Sequence, residues 1–150
     1  MYMKLNNISV ITERALKNDG ELLRHLNSAL LEEYFNLKVD QPEGSLIPTL
    51  GLRLNYLLNV KDIVDRLKEK DDLIAVDIGS GSSCVHPLLM SKMMSSTVKI
   101  FATECNTVNF EYSLRNIEQN NIRNISSNLV IYYLIEATYY EFLGLERGWA

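Results

Sequence analysis

A chain of 150 residues with 47% hydrophobic and 23% charged side chains has the composition of about one globular domain. No apolar run approaches the roughly 18 residues needed to cross a bilayer, and residues 1–10 lack a charged stretch followed by a long apolar one, so neither a membrane span nor secretion is indicated. A net charge of −4 excludes a nucleic-acid binder working by bulk electrostatics, and two cysteines and two histidines without ligand spacing give no metal site and suggest a reducing compartment.

In chain order, Asn18 followed three residues later by Glu21 reads as a capping pair. Leu22, Leu26, Leu30 and Tyr34 then recur at helical spacing, widened by Leu23 and Leu31, which predicts an amphipathic helix over 19–36 with this stripe in the core. Asp40-Gln41-Pro42-Glu43-Gly44-Ser45 predicts a loop. A second helix is expected over 53–68, with Tyr56, Leu57, Val60, Ile63, Val64 and Leu67 on its apolar face. Arg53 falls in its first turn, where a cation opposes the helix dipole. The position reads either as a solvated surface arginine or as one required for something else. Residues 68–72 form a charged, exposed turn.

Residues 73–77 predict a buried strand ending in Asp77, and Gly79-Ser80-Gly81 follows at once. Two glycines there let the backbone turn tightly and approach a ligand that a Cβ would exclude. A helix over 84–94 comes next, its N-terminus facing that pocket. A dinucleotide fingerprint would place a third glycine where Cys84 stands. The second strand, over 98–103, ends in Glu104, 27 positions after Asp77, and an acid at that point can accept from both hydroxyls of an adenosine ribose. The glycine pair with a ribose acid and no third glycine fits S-adenosylmethionine better than NAD. The competing reading is a tight turn with Glu104 as a solvated strand end. Cys84 and Cys105 lie just beyond the two strands, where a small thiol serves packing.

A third helix over 107–119, ended by Asn120-Asn121, and a third strand over 129–134 complete β-α-β-α-β, the first half of a doubly wound sheet with right-handed crossovers. Residues 136–150 have helical composition but do not return to the sheet, and the aromatics of Tyr139-Tyr140-Glu141-Phe142 read as hydrophobic packing. The fold class expected is α/β, an incomplete Rossmann-like fold: an N-terminal helical segment over 1–50, a cofactor-binding half-domain over 51–135 and an atypical tail over 136–150. The sheet edge after the third strand is open to aggregation or pairing.

Three segments in order resemble a known family: Leu46-Ile47-Pro48-Thr49 with Leu52-Arg53-Leu54-Asn55-Tyr56; Asp77-Ile78-Gly79-Ser80-Gly81-Ser82-Ser83-Cys84 through Pro87-Leu88-Leu89; and Ala102-Thr103-Glu104 with Phe110-Glu111-Tyr112 and Asn116-Ile117-Glu118-Gln119-Asn120-Asn121. Over about residues 28–130 the chain resembles the methyltransferase-like protein sixteen family, eukaryotic relatives of the bacterial large-subunit ribosomal RNA adenine methyltransferase F. The resemblance implies a Rossmann-like enzyme that transfers a methyl group from S-adenosylmethionine to the N6 amine of adenosine in structured RNA, such as U6 small nuclear RNA. It implies that Gly79, Gly81 and Ser83 line the methionine and ribose side of the cofactor, that Glu104 binds the ribose hydroxyls and that Arg53 reaches the cofactor carboxylate. It implies no catalytic residue within these 150 positions, because the family's Asn-Pro-Pro-Phe does not occur. Gly51 stands where the family has proline, and Asn106 and Thr107 where it has an acidic pair. The expectation is a nuclear or cytoplasmic enzyme cut short at both ends, or else a catalytically inactive module that binds the cofactor or regulates a full-length copy.

Overall fold

In a computed structural model of the chain, residues 20–66, 73–94, 98–122 and 129–133 are described. Two helices, α1 (Gly20–Phe35) and α2 (Leu50–Arg66), precede β1 (Ile74–Ile78), α3 (Val85–Met93), β2 (Lys99–Glu104), α4 (Thr107–Gln119) and β3 (Leu129–Tyr133). The strands form one parallel sheet in the order β1-β2-β3, with Ala75 beside Ile100, Asp77 beside Ala102 and Glu104 beside Tyr133. Parallel neighbours need a crossover, which α3 and α4 supply, giving the expected first half of a doubly wound sheet.

Helix α3 is the centre of the core. Pro87, Leu88 and Leu89 are fully buried, and Val85 and Met90 are nearly so, because this short helix packs against both α2 and β2. Leu50 and Leu57 from α2, Ile100 and Ala102 from β2, Ile117 from α4 and Leu31 and Leu37 from around the end of α1 close the cluster. At such positions truncating a leucine to alanine costs about 2–5 kcal/mol. Helix α1 ends where Asn36 turns left-handed at φ 51°, so that the Leu37 N–H donates back to the Leu31 carbonyl and Leu37 enters the core. Buried Asn27 ties α1 to the start of α2, accepting from the Leu50 N–H at 2.7 Å and donating to the Leu23 carbonyl at 2.9 Å.

Several expectations are corrected. Strand β1 is covered on one face only: Ile74, Val76 and Ile78 are 60%, 43% and 54% exposed, while Ala75 and Asp77 face the core side. An apolar run reads as buried on both faces, yet the described elements pack on one. In α1, Leu22 and Tyr34 are exposed, and the contact stripe runs through Asn27 and Leu31. Helix α2 begins at Leu50 and buries Leu50 and Leu57, leaving Tyr56 and Ile63 in solvent. Cys84 packs as expected, but Cys105 is exposed, since it follows β2 on the loop side. Asn18, the turn at 68–72, the tail over 136–150 and its aromatics lie outside the described residues.

Candidate functional site

The turn after β1 is built around two residues with positive φ that only glycine adopts without strain, Gly79 at 73° and Gly81 at 66°. A Cβ on either would meet nothing within 4 Å, so the concave side of the turn is open space. The turn is fixed from behind. The N–H groups of Gly79 and Ser80 donate to the Thr103 carbonyl of β2 at 3.0 and 2.9 Å. Glu104 accepts from the Gly81 N–H at 2.9 Å through Oε2, and from the Cys105 and Asn106 N–H groups, each at 2.8 Å, through Oε1. From α4, the Ser113 hydroxyl donates to the Gly81 carbonyl at 2.6 Å, and the fully buried Asn116 amide donates to the carbonyls of Ser82 and Asp40, each at 2.9 Å.

Asn116 also accepts from the Asp40 N–H at 2.8 Å, and Asn120 exchanges bonds with both main-chain groups of Lys38 at 2.8 and 2.7 Å. The segment before Gln41 is thereby zipped to α4. Arg24 of α1 pins the following loop, donating to Gln41 Oε1 and to the Ser45 carbonyl, both at 3.1 Å. Glycine turn and N-terminal loop then face each other across a cavity of about 300 Å³, whose lining includes Gln41, Ser45, Leu46 and Pro48 from the loop and Gly79 to Ser83 from the turn. That volume sits at the lower end of small-molecule sites.

Three buried polar atoms at or beside this cavity have no partner: Arg53 Nε, Asp77 Oδ2 and His86 Nε2. Arg53, in the first turn of α2, and His86, the second residue of α3, both line the cavity. His86 Nδ1 lies 3.8 Å from Asp77 Oδ1, and its ring packs 5.5 Å from that of Tyr56. Burial lowers the His86 pKa below the ordinary imidazole value, Asp77 opposes that shift and Arg53 adds to it. Burial, with Asp77 and Glu104, pushes the Cys84 thiol far up, so it remains a neutral packing group.

Of the sequence-predicted residues, Arg53, Gly79, Gly81 and Ser83 share the cavity lining. Glu104 stands one layer behind as the brace of the turn, 6% exposed, with two backbone donors on Oε1 and one on Oε2. Sequence reasoning missed His86 and Asp77 as a pair and the 41–48 wall. The available signal was a histidine two residues into the helix that a glycine turn opens. Asn106, the departure from the family's acidic pair, is the N-cap of α4, its side chain accepting from the Asn109 N–H at 3.0 Å. Among the described residues no group of three His, Cys, Asp or Glu side chains could hold a metal ion.

An amphiphile with a carboxylate suits these groups: one orphan donor, an open backbone cradle and a carboxylate-braced turn. Comparison with known proteins gives a family model described as RNA methyltransferase, matching residues 12–131. The U6 small nuclear RNA (adenine-(43)-N(6))-methyltransferase of Drosophila melanogaster is 40% identical over 103 residues, covering 69% of this chain and 33% of that protein. Among solved structures, a human methyltransferase 10 domain containing protein superposes with a TM-score of 0.74 at 33% identity, covering 88% of this chain and 58% of that one. The N-terminal domain of human METTL16 in complex with SAH gives 0.70 at 30% identity, covering 89% and 50%. The chain spans about a third of the length of the Drosophila relatives it matches.

Proposed function

This chain belongs to the RNA methyltransferase family, and from that premise we propose that it forms the S-adenosylmethionine-binding part of an RNA adenosine N6-methyltransferase. The observation that carries the reading is the buried, unpartnered Arg53 Nε beside the cavity formed by the glycine turn. A buried N–H without an acceptor costs free energy that a ligand can recover. A carboxylate is the acceptor whose two oxygens match the guanidinium fork. Arg53 takes the cofactor's carboxylate, Gly79, Gly81 and Ser83 line its methionine and ribose side, and Glu104 accepts from a ribose hydroxyl through Oε2, which carries a single backbone donor. When bound, S-adenosylmethionine supplies an electrophilic methyl group. The chain's own part is to bind it, fix its ends and keep the glycine turn rigid.

The substrate class, adenosine N6 in structured RNA such as U6 small nuclear RNA, rests on the activity named for the Drosophila relative. With a net charge of −4, RNA contact would depend on a local surface rather than on bulk attraction. The protein is read as nuclear or cytoplasmic, and no described helix is long and apolar enough to cross a membrane. The division into a helical segment over 1–50, a cofactor-binding half-domain over 51–135 and a tail over 136–150 stays part of the proposal. A second reading is cofactor binding without turnover: the groups gathered at the cavity bind and orient a cofactor, and holding a target amine in line with the methyl group is a separate task.

Calorimetric titration with S-adenosylhomocysteine tests the site. Saturable binding is expected, weakened roughly tenfold or more in Arg53→Ala by loss of a charge-assisted pair; no binding by a folded chain would overturn the assignment. Labelled-methyl transfer to a U6 hairpin then separates the enzyme from the binding module.

A further inference from the structure

The Arg53 pairing leaves two other orphan atoms unexplained. Asp77 Oδ2 and His86 Nε2 are both acceptors, or become so once the imidazole tautomer is fixed, and both are buried without partners. The tautomer follows from the neighbours. Nδ1 faces the Asp77 carboxylate at 3.8 Å, longer than a hydrogen bond, yet the nearby negative charge favours the tautomer with the ring proton on Nδ1 and the lone pair on Nε2. His86, not Asp77, lines the cavity, as Arg53 does, and the guanidinium is near enough to act on the ring's charge. This lone pair lacks a donor, and the Asp77 carboxylate beside the ring, its Oδ2 unpartnered, favours a positively charged one. That donor must arrive with a group that neutralises the Arg53 guanidinium.

A zwitterionic amino-acid tail meets both demands. We infer that His86 is a cofactor-binding residue: oriented by Asp77, its Nε2 accepts a hydrogen bond from the ammonium group of the amino-acid tail whose carboxylate Arg53 takes. This rests on the S-adenosylmethionine reading and adds to it a second contact at the charged end of the ligand, one that titrates. The charged and titratable groups around the ring are Asp77 of β1 and Arg53 and Tyr56 of α2.

The sign of the pH dependence follows. Neutral His86 offers an acceptor; protonated His86 offers a donor and a positive charge to a ligand ammonium. Affinity is therefore full above the His86 pKa, which burial holds below 6.5, and is lost as pH falls through it.

The experiment titrates the full chain by calorimetry between pH 8 and pH 5 with two probes, S-adenosylhomocysteine and methylthioadenosine, which has the nucleoside but no amino-acid tail. Expected are S-adenosylhomocysteine affinity that falls by up to about tenfold per pH unit below the His86 pKa and methylthioadenosine affinity that stays flat. His86→Phe should weaken the first probe roughly tenfold at pH 8 and the second less than about twofold. His86→Gln, which keeps an acceptor but cannot titrate, should weaken it less than His86→Phe and abolish the pH dependence. Equal losses for both probes, or a flat wild-type profile for S-adenosylhomocysteine, would overturn the inference while leaving the cofactor site intact. Failure of both probes to bind a folded chain would remove the cofactor reading and this inference with it.

Discussion

Glu104 has two jobs at one carboxylate. Its hold on the Gly81 N–H fixes the glycine turn, and its bonds to Cys105 and Asn106 turn the chain from β2 into α4. Glu104→Ala strips those donors of their acceptor, and leaving a buried N–H unsatisfied costs about 1–3 kcal/mol. A drop of that size is expected in urea unfolding. Affinity for S-adenosylhomocysteine should fall roughly tenfold as well, and a loss below about threefold would remove the ribose assignment. The position of Glu104 was legible as a strand-end acid a fixed distance from Asp77, whereas Arg53 showed only an electrostatically awkward place in a first turn, and its role came from the resemblance. The brace was not legible, because sequence says that an acid is present, not how many of its lone pairs the backbone has already used. The Asp77 and His86 pair was hidden for a related reason: nine positions of chain separate two side chains that a glycine turn folds together.

At the scale of elements, α4 does more than cross over from β2 to β3. Its buried face carries Ser113 and Asn116 alongside Ile117, polar groups in a core where each must be matched. Asn116 matches main-chain groups of Ser82 and Asp40, so one amide joins the glycine turn to the N-terminal segment. Asn116→Ala leaves several main-chain groups unpartnered at once. A loss of about 2–4 kcal/mol in chemical denaturation is expected from orphaning two or three such groups, more than removing the side chain's volume alone would cost. Asn116→Asp should cost at least as much, because a carboxylate cannot donate to the carbonyls of Asp40 and Ser82. Little change in either variant would mean that the clamp does not hold the turn. The helices and strands themselves were legible from periodicity, while the faces of α1 and α2 were not. In α1 a polar residue, Asn27, occupies the contact stripe because it caps α2, a partner that hydrophobic spacing cannot register.

For the whole molecule, the unusual surface is the open face of β1. Parallel sheets occur with both faces covered, and the β1 run has the two-sided apolar composition of such a strand. Among the described residues, Ile74, Val76 and Ile78 are exposed on a strand at the edge of the sheet, and α2 adds exposed Leu52, Tyr56 and Ile63. A strand edge is a template for another strand, and an exposed apolar face beside it drives association. The chain is therefore expected to self-associate as concentration rises, seen as an increasing weight-average mass in sedimentation velocity. Replacing Ile74 and Ile78 with threonine keeps β-branching, and with it strand propensity, while removing apolar surface. Because both side chains are more than half exposed, folded stability should change by no more than about 0.5 kcal/mol per site. The double variant should sediment as a monomer across the same series with cofactor affinity retained, since neither side chain lines the cavity. Association that persists unchanged in the variant would locate the contact elsewhere on the surface, and a wild-type chain that stays monomeric throughout would show that the exposed face is not adhesive.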